Sequence, residues 1–139
     1  MGVYSHRERI SSRGDADVVD ITPLAEEALA KSGLRKGILS AFVPGSTAAI
    51  TTIEFESGAI ADLRAAVERA VPRSIRYEHD KRWGDGNGYS HVRAALLKPG
   101  LAVPFENGRL MLGTWQQLVL VDFDNRPRER ELVFQLVGE

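Results

Sequence analysis

Two rhythms divide the chain: alternation with a period of two marks strands, and apolar residues three and four apart mark helices. The first run, roughly Val3 to Ser11, reads as a strand, followed by a turn at "SSRGDAD" and a short strand in "DVVDI". In "TPLAEEALAKSGLRKG" the period lengthens. Leu24, Ala25, Ala28 and Leu29 share one face, Thr22 suits an N-cap, Pro23 the first helical position and Gly33 a left-handed C-terminal cap. "GILSAFVPGSTAAITTIEFESG" predicts two strands around a turn at Pro44-Gly45-Ser46, because proline cannot donate a ladder hydrogen bond. "SGAIADLRAAVERAVP" predicts a helix with Ile60, Leu63, Ala66 and Val67 on its apolar face and Pro72 closing it.

The second half follows the same logic. "RSIRYEHD" reads as a strand, Ile75 and Tyr77 alternating against Arg76 and Glu78, with His79 at its end. After a glycine-rich loop, "GYSHVRAALL" makes a short helix with Asn87 as candidate cap, and the last third reads as strand, Asn-Gly turn, long strand, "DNRP" turn and strand. This order predicts an α+β fold: a mostly antiparallel sheet ending in a meander, with two to three helices. No repeat or flexible linker divides the chain, so residues 1–139 are expected to form a single domain.

Composition narrows the function. The chain is 43% hydrophobic and 27% charged, an ordinary globular balance able to bury one core. Its 18 basic residues stand against 19 acidic ones, so no basic surplus argues for nucleic acid. Cysteine is absent, which removes disulfides, thiolate nucleophiles and cysteine-ligated metals and leaves His, Asp, Glu or Asn to hold any ion. No run approaches the roughly 20 apolar residues that span a bilayer, so no membrane partner is expected and the expected location is cytoplasmic.

Three stretches carry candidate chemistry. "YEHDKRWGDGNGYSHVRAALL" holds two of the three histidines. His91 falls about one turn into the predicted helix, with Ala94 and Ala95 leaving room beside its ring. Across the glycine loop His79 and His91 can converge, and with Asp80 or Asp85 they form an open divalent-metal set, zinc or magnesium being candidates. A capping asparagine with two polar histidines remains the alternative. "PGSTAA" can offer Ser46, Thr47 and backbone amides to an anion, or be a plain turn. In "GTWQQLVLVDFDNRPRER", Trp115 can stack on a planar ligand that Gln116 hydrogen-bonds while Arg126 and Arg128 grip phosphate; edge-strand decoration with a salt-bridged turn fits equally. Apolar strands such as "LVLVDF" also demand covered edges, which a closed homo-oligomer supplies.

The runs "FVPGSTAAITTIE", "HDKRWGDGNGYSHVRAALL" and "VPFENGRLMLGTWQQLVLVDFDNRPRERELVFQLVGE" together resemble the YjbQ-like family over nearly the whole chain. The resemblance implies a compact α+β homotrimer and, in some members, a secondary thiamine-phosphate synthase activity. That reaction joins a pyrimidine diphosphate to a thiazole phosphate with loss of pyrophosphate, usually with a divalent cation. By the same resemblance Glu54, Asn87, His91 and Gln116 take catalytic positions. Ser46, Thr47, Trp115 and Arg126 hold the phosphorylated ligand, and His79, His91 and Asp80 hold the metal. Family members commonly carry a histidine followed by two threonines where this chain has Gly45-Ser46-Thr47, so one site histidine is missing. The expectations that stay open beside this are a non-enzymatic binder of a phosphorylated metabolite and a metal-dependent phosphate-ester hydrolase.

Overall fold

The computed structural model describes residues 1–139. In chain order the elements are β1 (Gly2–Ser12), β2 (Asp17–Asp20), α1 (Thr22–Ser32), β3 (Gly37–Phe42), β4 (Ala48–Ile53) and α2 (Ser57–Ala70). There follow α3 (Glu78–Trp83), α4 (Gly88–Leu97), β5 (Gly100–Glu106), β6 (Arg109–Leu110), β7 (Gln117–Asp122) and β8 (Arg128–Gly138). All pairing is antiparallel, in a five-stranded sheet ordered β1-β8-β3-β5-β6 and a three-stranded sheet ordered β2-β7-β4. The class is α+β as the sequence predicts, with four helices in place of two to three.

Strand β7 sets the layering. Leu118 and Leu120 point into the main core with Leu39, Phe105, Leu132 and Phe134 of the larger sheet, and Ala25, Ala28 and Leu29 of α1 join them. Val119 and Val121 point the opposite way, against Val67 of α2 and Ala94 of α4. A strand buried on both faces has no polar side, which is why "LVLV" runs apolar without alternation. The layers are therefore large sheet, main core, small sheet, second core, and helices α2 and α4. On the outer face of the large sheet Val3, Ile38, Phe42 and Val137 are exposed.

Several local expectations are corrected. "RSIRYEHD" is not a strand: residues from Glu78 onward form α3, so His79 sits on a helix. Tyr77, which looked like a strand residue, anchors that helix, its side chain against Gly88 and its hydroxyl donating to the Pro72 carbonyl at 2.6 Å. The C-terminal meander also fails. Strands β7 and β8 flank the "DNRP" turn yet belong to different sheets, as do β3 and β4 around Pro44. The long strand after Asn107-Gly108 is interrupted: β6 lasts two residues and β7 begins only at Gln117. In α1 the N-cap position is Ile21, and Thr22 instead accepts the Leu118 amide through Oγ1 at 2.9 Å, tying the helix to β7; Gly33 is the left-handed C-cap foreseen, φ 69°. Helix α2 is capped by Glu56, whose carboxylate accepts the Gly58 and Ala59 amides at 2.6 and 2.8 Å. No helix is long and apolar enough to cross a membrane.

Candidate functional site

Helices α3 and α4 meet across a four-residue connection, residues 84–87, in which Gly84 and Gly86 both adopt φ 66°, a left-handed conformation that glycine takes without steric cost. Gly88 closes the approach, since a Cβ there would stand 2.5 Å from the Tyr77 Cβ. The result is that the rings of His79 and His91 lie with centroids 4.4 Å apart, tilted by 44°. The convergence read from the sequence is present, although both rings come from helices.

Two carboxylates complete the cluster, each pinned by a backbone amide at the start of α4. Asp80 Oδ1 accepts the Gly88 N–H at 2.8 Å, and Asp85 Oδ1 accepts the Asn87 N–H at 3.1 Å. The same oxygens stand 3.6 and 3.3 Å from His79 Nδ1. That nitrogen is buried and has no aligned hydrogen bond. A buried polar atom without a partner calls for an explanation. An imidazole nitrogen and two carboxylates whose ligand atoms lie within 4.8 Å of one another match the donor set of a divalent cation. His79 and Asp80 thus stand where expected; Asp85, rather than His91, completes the compact set, and His91 lies against it.

Beneath this cluster is a buried ionic junction. Asp124, fully buried, accepts hydrogen bonds on Oδ2 from Thr47 Oγ1 at 2.9 Å and Asn87 Nδ2 at 3.2 Å. Arg128 Nε lies 3.1 Å from the same oxygen, an ion pair by distance though not aligned as a hydrogen bond. Burial pushes the Asp124 carboxyl up, but the Thr47 and Asn87 donors and the Arg128 charge outweigh it and hold it below the usual carboxylate range. Arg130 makes a fork on Asp122, Nε to Oδ2 at 2.7 Å and Nη2 to Oδ1 at 2.8 Å, and Nη2 also reaches Thr47 Oγ1 at 2.6 Å.

Asn87 is the link upward. It occupies the N-cap position of α4 without capping by its side chain. Its Oδ1 instead accepts the Asn125 N–H at 3.2 Å and lies 2.5 Å from Ser90 Oγ. Fixing Asn87 fixes the amides of residues 87 and 88, and through them the two carboxylates beside His79. Arg93, buried within α4, donates to the Val71 carbonyl and lies over the Tyr89 ring at 4.9 Å, locking the helix that presents His91.

On the other side of His91 opens a hollow of about 320 Å³. Ala48, Ala94, Ala95 and Pro99 line it beside the ring, and Gly45 and Ser46 form its edge. The small residues predicted beside His91 do leave space there.

The remaining predicted residues separate. Thr47 is buried and its hydroxyl is consumed by Asp124 and Arg130, so it is a scaffold group. Arg126 is exposed, and its side chain makes no ion pair. Glu54 follows the opposite end of β4, about 20 Å from Thr47 at roughly 3.3 Å per strand residue. Trp115 is 73% exposed at that far end, and Gln116 bonds Thr52 Oγ1 at 3.2 Å and the Gly113 N–H at 3.0 Å. Within one chain these three do not reach the histidines. A larger hollow of about 450 Å³ lies beside them, between α1 and the Gly113–Gln117 segment. It contains no histidine, and its charged groups Glu26 and Arg109 are exposed, so the histidine pair is the stronger candidate.

Sequence reasoning missed Asp122, Asp124 and Arg130 as one unit. A signal existed. Arg130 shares strand parity with Leu132, Phe134 and Leu136, all buried, and a charge on the inward face of a strand requires a buried partner.

Comparison with known proteins shows the family and the fold. A family model described as "UPF0047 protein YjbQ-like" matches residues 6–139. A UPF0047 protein of Methanothermobacter thermautotrophicus is 35% identical over 139 residues, covering 100% of this chain and 95% of its own length. One from Archaeoglobus fulgidus is 34% identical over 117 residues, 84% of this chain and 88% of that protein. Among solved structures, a YbjQ-like protein of unknown function from Sulfolobus solfataricus superposes with a TM-score of 0.89 at 31% identity, over 99% of this chain and 100% of that one. A conserved hypothetical protein from Thermus thermophilus gives 0.78 at 30% identity, over 94% and 99%. The chain belongs to the UPF0047, or YjbQ-like, family.

Proposed function

We propose that the chain binds a divalent cation, zinc or magnesium, at His79, Asp80 and Asp85 and acts on a small phosphorylated metabolite in the adjoining hollow. The reaction is thiamine-phosphate synthase-type transfer: a pyrimidine diphosphate joins a thiazole phosphate and pyrophosphate leaves. One observation carries the reading. A buried, unpartnered imidazole nitrogen beside two pinned carboxylates lies next to a second imidazole that faces a hollow with small walls.

A cation at this position supplies charge neutralisation to a departing diphosphate. The chain's own residues do the rest. The Asn87 and Gly88 amides keep the carboxylates in place, so no reorganisation is needed when charge develops. Ala48, Ala94 and Ala95 let a flat ring lie against His91, which can hydrogen-bond a heteroatom on it. Trp115, Gln116 and Glu54 enter from a neighbouring copy in a homotrimer. The exposure of Trp115 and the uncovered apolar face of the large sheet support that assembly.

The size of the hollow favours a second reading. About 320 Å³ suits one small substrate better than two, which fits phosphate-ester hydrolysis or simple binding if the chain works alone. Purified protein supplied with each metal and with one or both substrates separates these. The synthase reading expects pyrophosphate and coupled product in equal amounts only with both substrates, and a loss of at least about 100-fold in His91→Ala. Phosphate or pyrophosphate released from a single substrate indicates hydrolysis, and saturable binding without turnover indicates a binder.

A further inference from the structure

We infer that Arg130 is the anion-recognition group of the hollow and that Gly45 keeps it accessible, so that the ligand offers a phosphoryl or diphosphate oxygen to the guanidinium. This rests on the hollow being the substrate site, not on the metal. The Arg130 side chain is 9% exposed, and Nε and Nη2 are occupied by Asp122 and Thr47. Its Nη1 has no partner within the chain. The buried side-chain atoms that lack a partner are His79 Nδ1 and Arg128 Nε; Nη1 is not among them because solvent reaches it.

The opening is at Gly45. A Cβ built there would stand 3.1 Å from Arg130 Nη1, and Gly45 itself forms the edge of the hollow. A side chain at this position would lie against the guanidinium at the border of the hollow. It would also be strained, because φ is 125°, a conformation that side-chain-bearing residues rarely adopt. Glycine therefore does two things at once: it permits the turn after Pro44 and leaves a donor uncovered.

The electrostatics permit an anion. Asp122 and Asp124 are balanced by Arg128 and Arg130, so an incoming oxyanion meets a neutral cluster with an unused pair of N–H donors. The guanidinium is already held in one rotamer by its fork on Asp122, so binding costs little side-chain entropy. Guanidinium recognises phosphate oxygens through charge-assisted hydrogen bonds. The other candidates are less suited: the Thr47 hydroxyl is occupied, and Arg126 lies on the exposed turn. Ser46 remains available at the edge as an auxiliary donor.

The test uses EDTA-treated full-length protein and inorganic pyrophosphate. Nitrogen-15 spectra of the arginine side chains should show the Arg130 guanidinium shifting on titration, and calorimetry should give a matching saturable affinity. Gly45→Ala should weaken that affinity roughly tenfold to hundredfold, the range for a charged hydrogen bond, while Mn²⁺ affinity stays at the wild-type level. The inference is overturned if pyrophosphate does not bind without metal, if the Arg130 resonance is unmoved, or if binding depends on Arg126 and not on Gly45. The spectra need no variant, so an unstable Gly45→Ala protein leaves the outcome decidable. Failure of Mn²⁺ to bind with the pyrophosphate results intact would remove the metal reading and leave this one standing.

Discussion

The paired strands β4 and β7 have two ends that differ in kind. At one, Thr47, Asp122 and Asp124 enter a buried junction with Arg130 and Asn87, and every charge has a partner. At the other, Glu54 and Trp115 stand in solvent, and Gln116 makes two hydrogen bonds on an exposed segment. The first end is ordered before any ligand arrives, which is what a site needs if charge stabilisation is to come without rearrangement. The second carries groups suited to recognition on an exposed surface, where Gln116 is held by two hydrogen bonds and Trp115 stands in solvent. A site built from both must bring them together through a second copy.

The largest expected effect breaks the junction. Asp122→Ala leaves the Arg130 guanidinium buried without its forked carboxylate, and losing one partner of a buried pair costs about 3–5 kcal/mol. A melting temperature lower by roughly 10 °C is expected for a chain of this size, whereas Glu54→Ala should stay within about 0.5 kcal/mol of wild type. Equal effects at the two positions would mean that the two ends do not differ as drawn. Next comes Gly14→Ala. At φ 72° a Cβ would meet the Arg126 and Asp124 carbonyl oxygens at 2.3 and 2.7 Å, so the turn carrying Asp124 must shift. About 1–3 kcal/mol is expected, with a fall in metal affinity because Asp124 supports Asn87. Unchanged metal affinity would show that the junction does not position the carboxylates.

Acid should reveal the same asymmetry. The Asp124 carboxyl titrates below its ordinary value in the folded chain, so as pH falls the unfolded chain takes up the proton first. The stability it contributes is complete above an unfolded pKa of about 3.9 and is lost as pH falls through the folded value. Urea unfolding at pH 5 and pH 3 should therefore show a smaller pH-dependent loss in Asp124→Asn than in wild type. Glu27, Glu56 and Glu68 are also held low and contribute to both proteins, so the difference between the two isolates Asp124. Identical losses would place the acid sensitivity elsewhere.

How much of this was legible follows from where the information lies. Helices α1 and α2 were readable because their apolar spacing and their terminal Gly33 and Pro72 are local signals. The space beside His91 was readable for the same reason: Ala94 and Ala95 follow it at helical spacing. Helix α3 was not, because Tyr77 and Ile75 alternate like a strand while the structure uses Tyr77 as a wedge against Gly88. The meander was misread because a short turn looks the same whether the chain folds back or crosses to another sheet. The junction of Asp122, Asp124 and Arg130 with Thr47 joins residues up to 83 positions apart. Only the parity of Arg130 with buried leucines hinted at it, and resemblance to relatives grouped Gln116 with the histidines without saying which copy supplies it.

The smallest expected change in stability is also the one that decides the far end. Trp115 is 73% exposed, so Trp115→Ala removes little packing and should alter the unfolding free energy of the isolated chain by less than about 0.5 kcal/mol. If a neighbouring copy brings this ring to the hollow, the same substitution should lower turnover with both substrates by about tenfold or more, since a buried interfacial tryptophan commonly contributes about 2 kcal/mol. Sedimentation at matched concentration should then show the trimer weakened or, with assembly intact, the substrate affinity reduced. Should turnover, assembly and stability all match wild type, Trp115 is surface decoration and the working site is the buried end alone. A stability loss of 2 kcal/mol in the monomer would instead show the far end to be packed, and the contrast between the two ends would no longer separate scaffold from recognition surface.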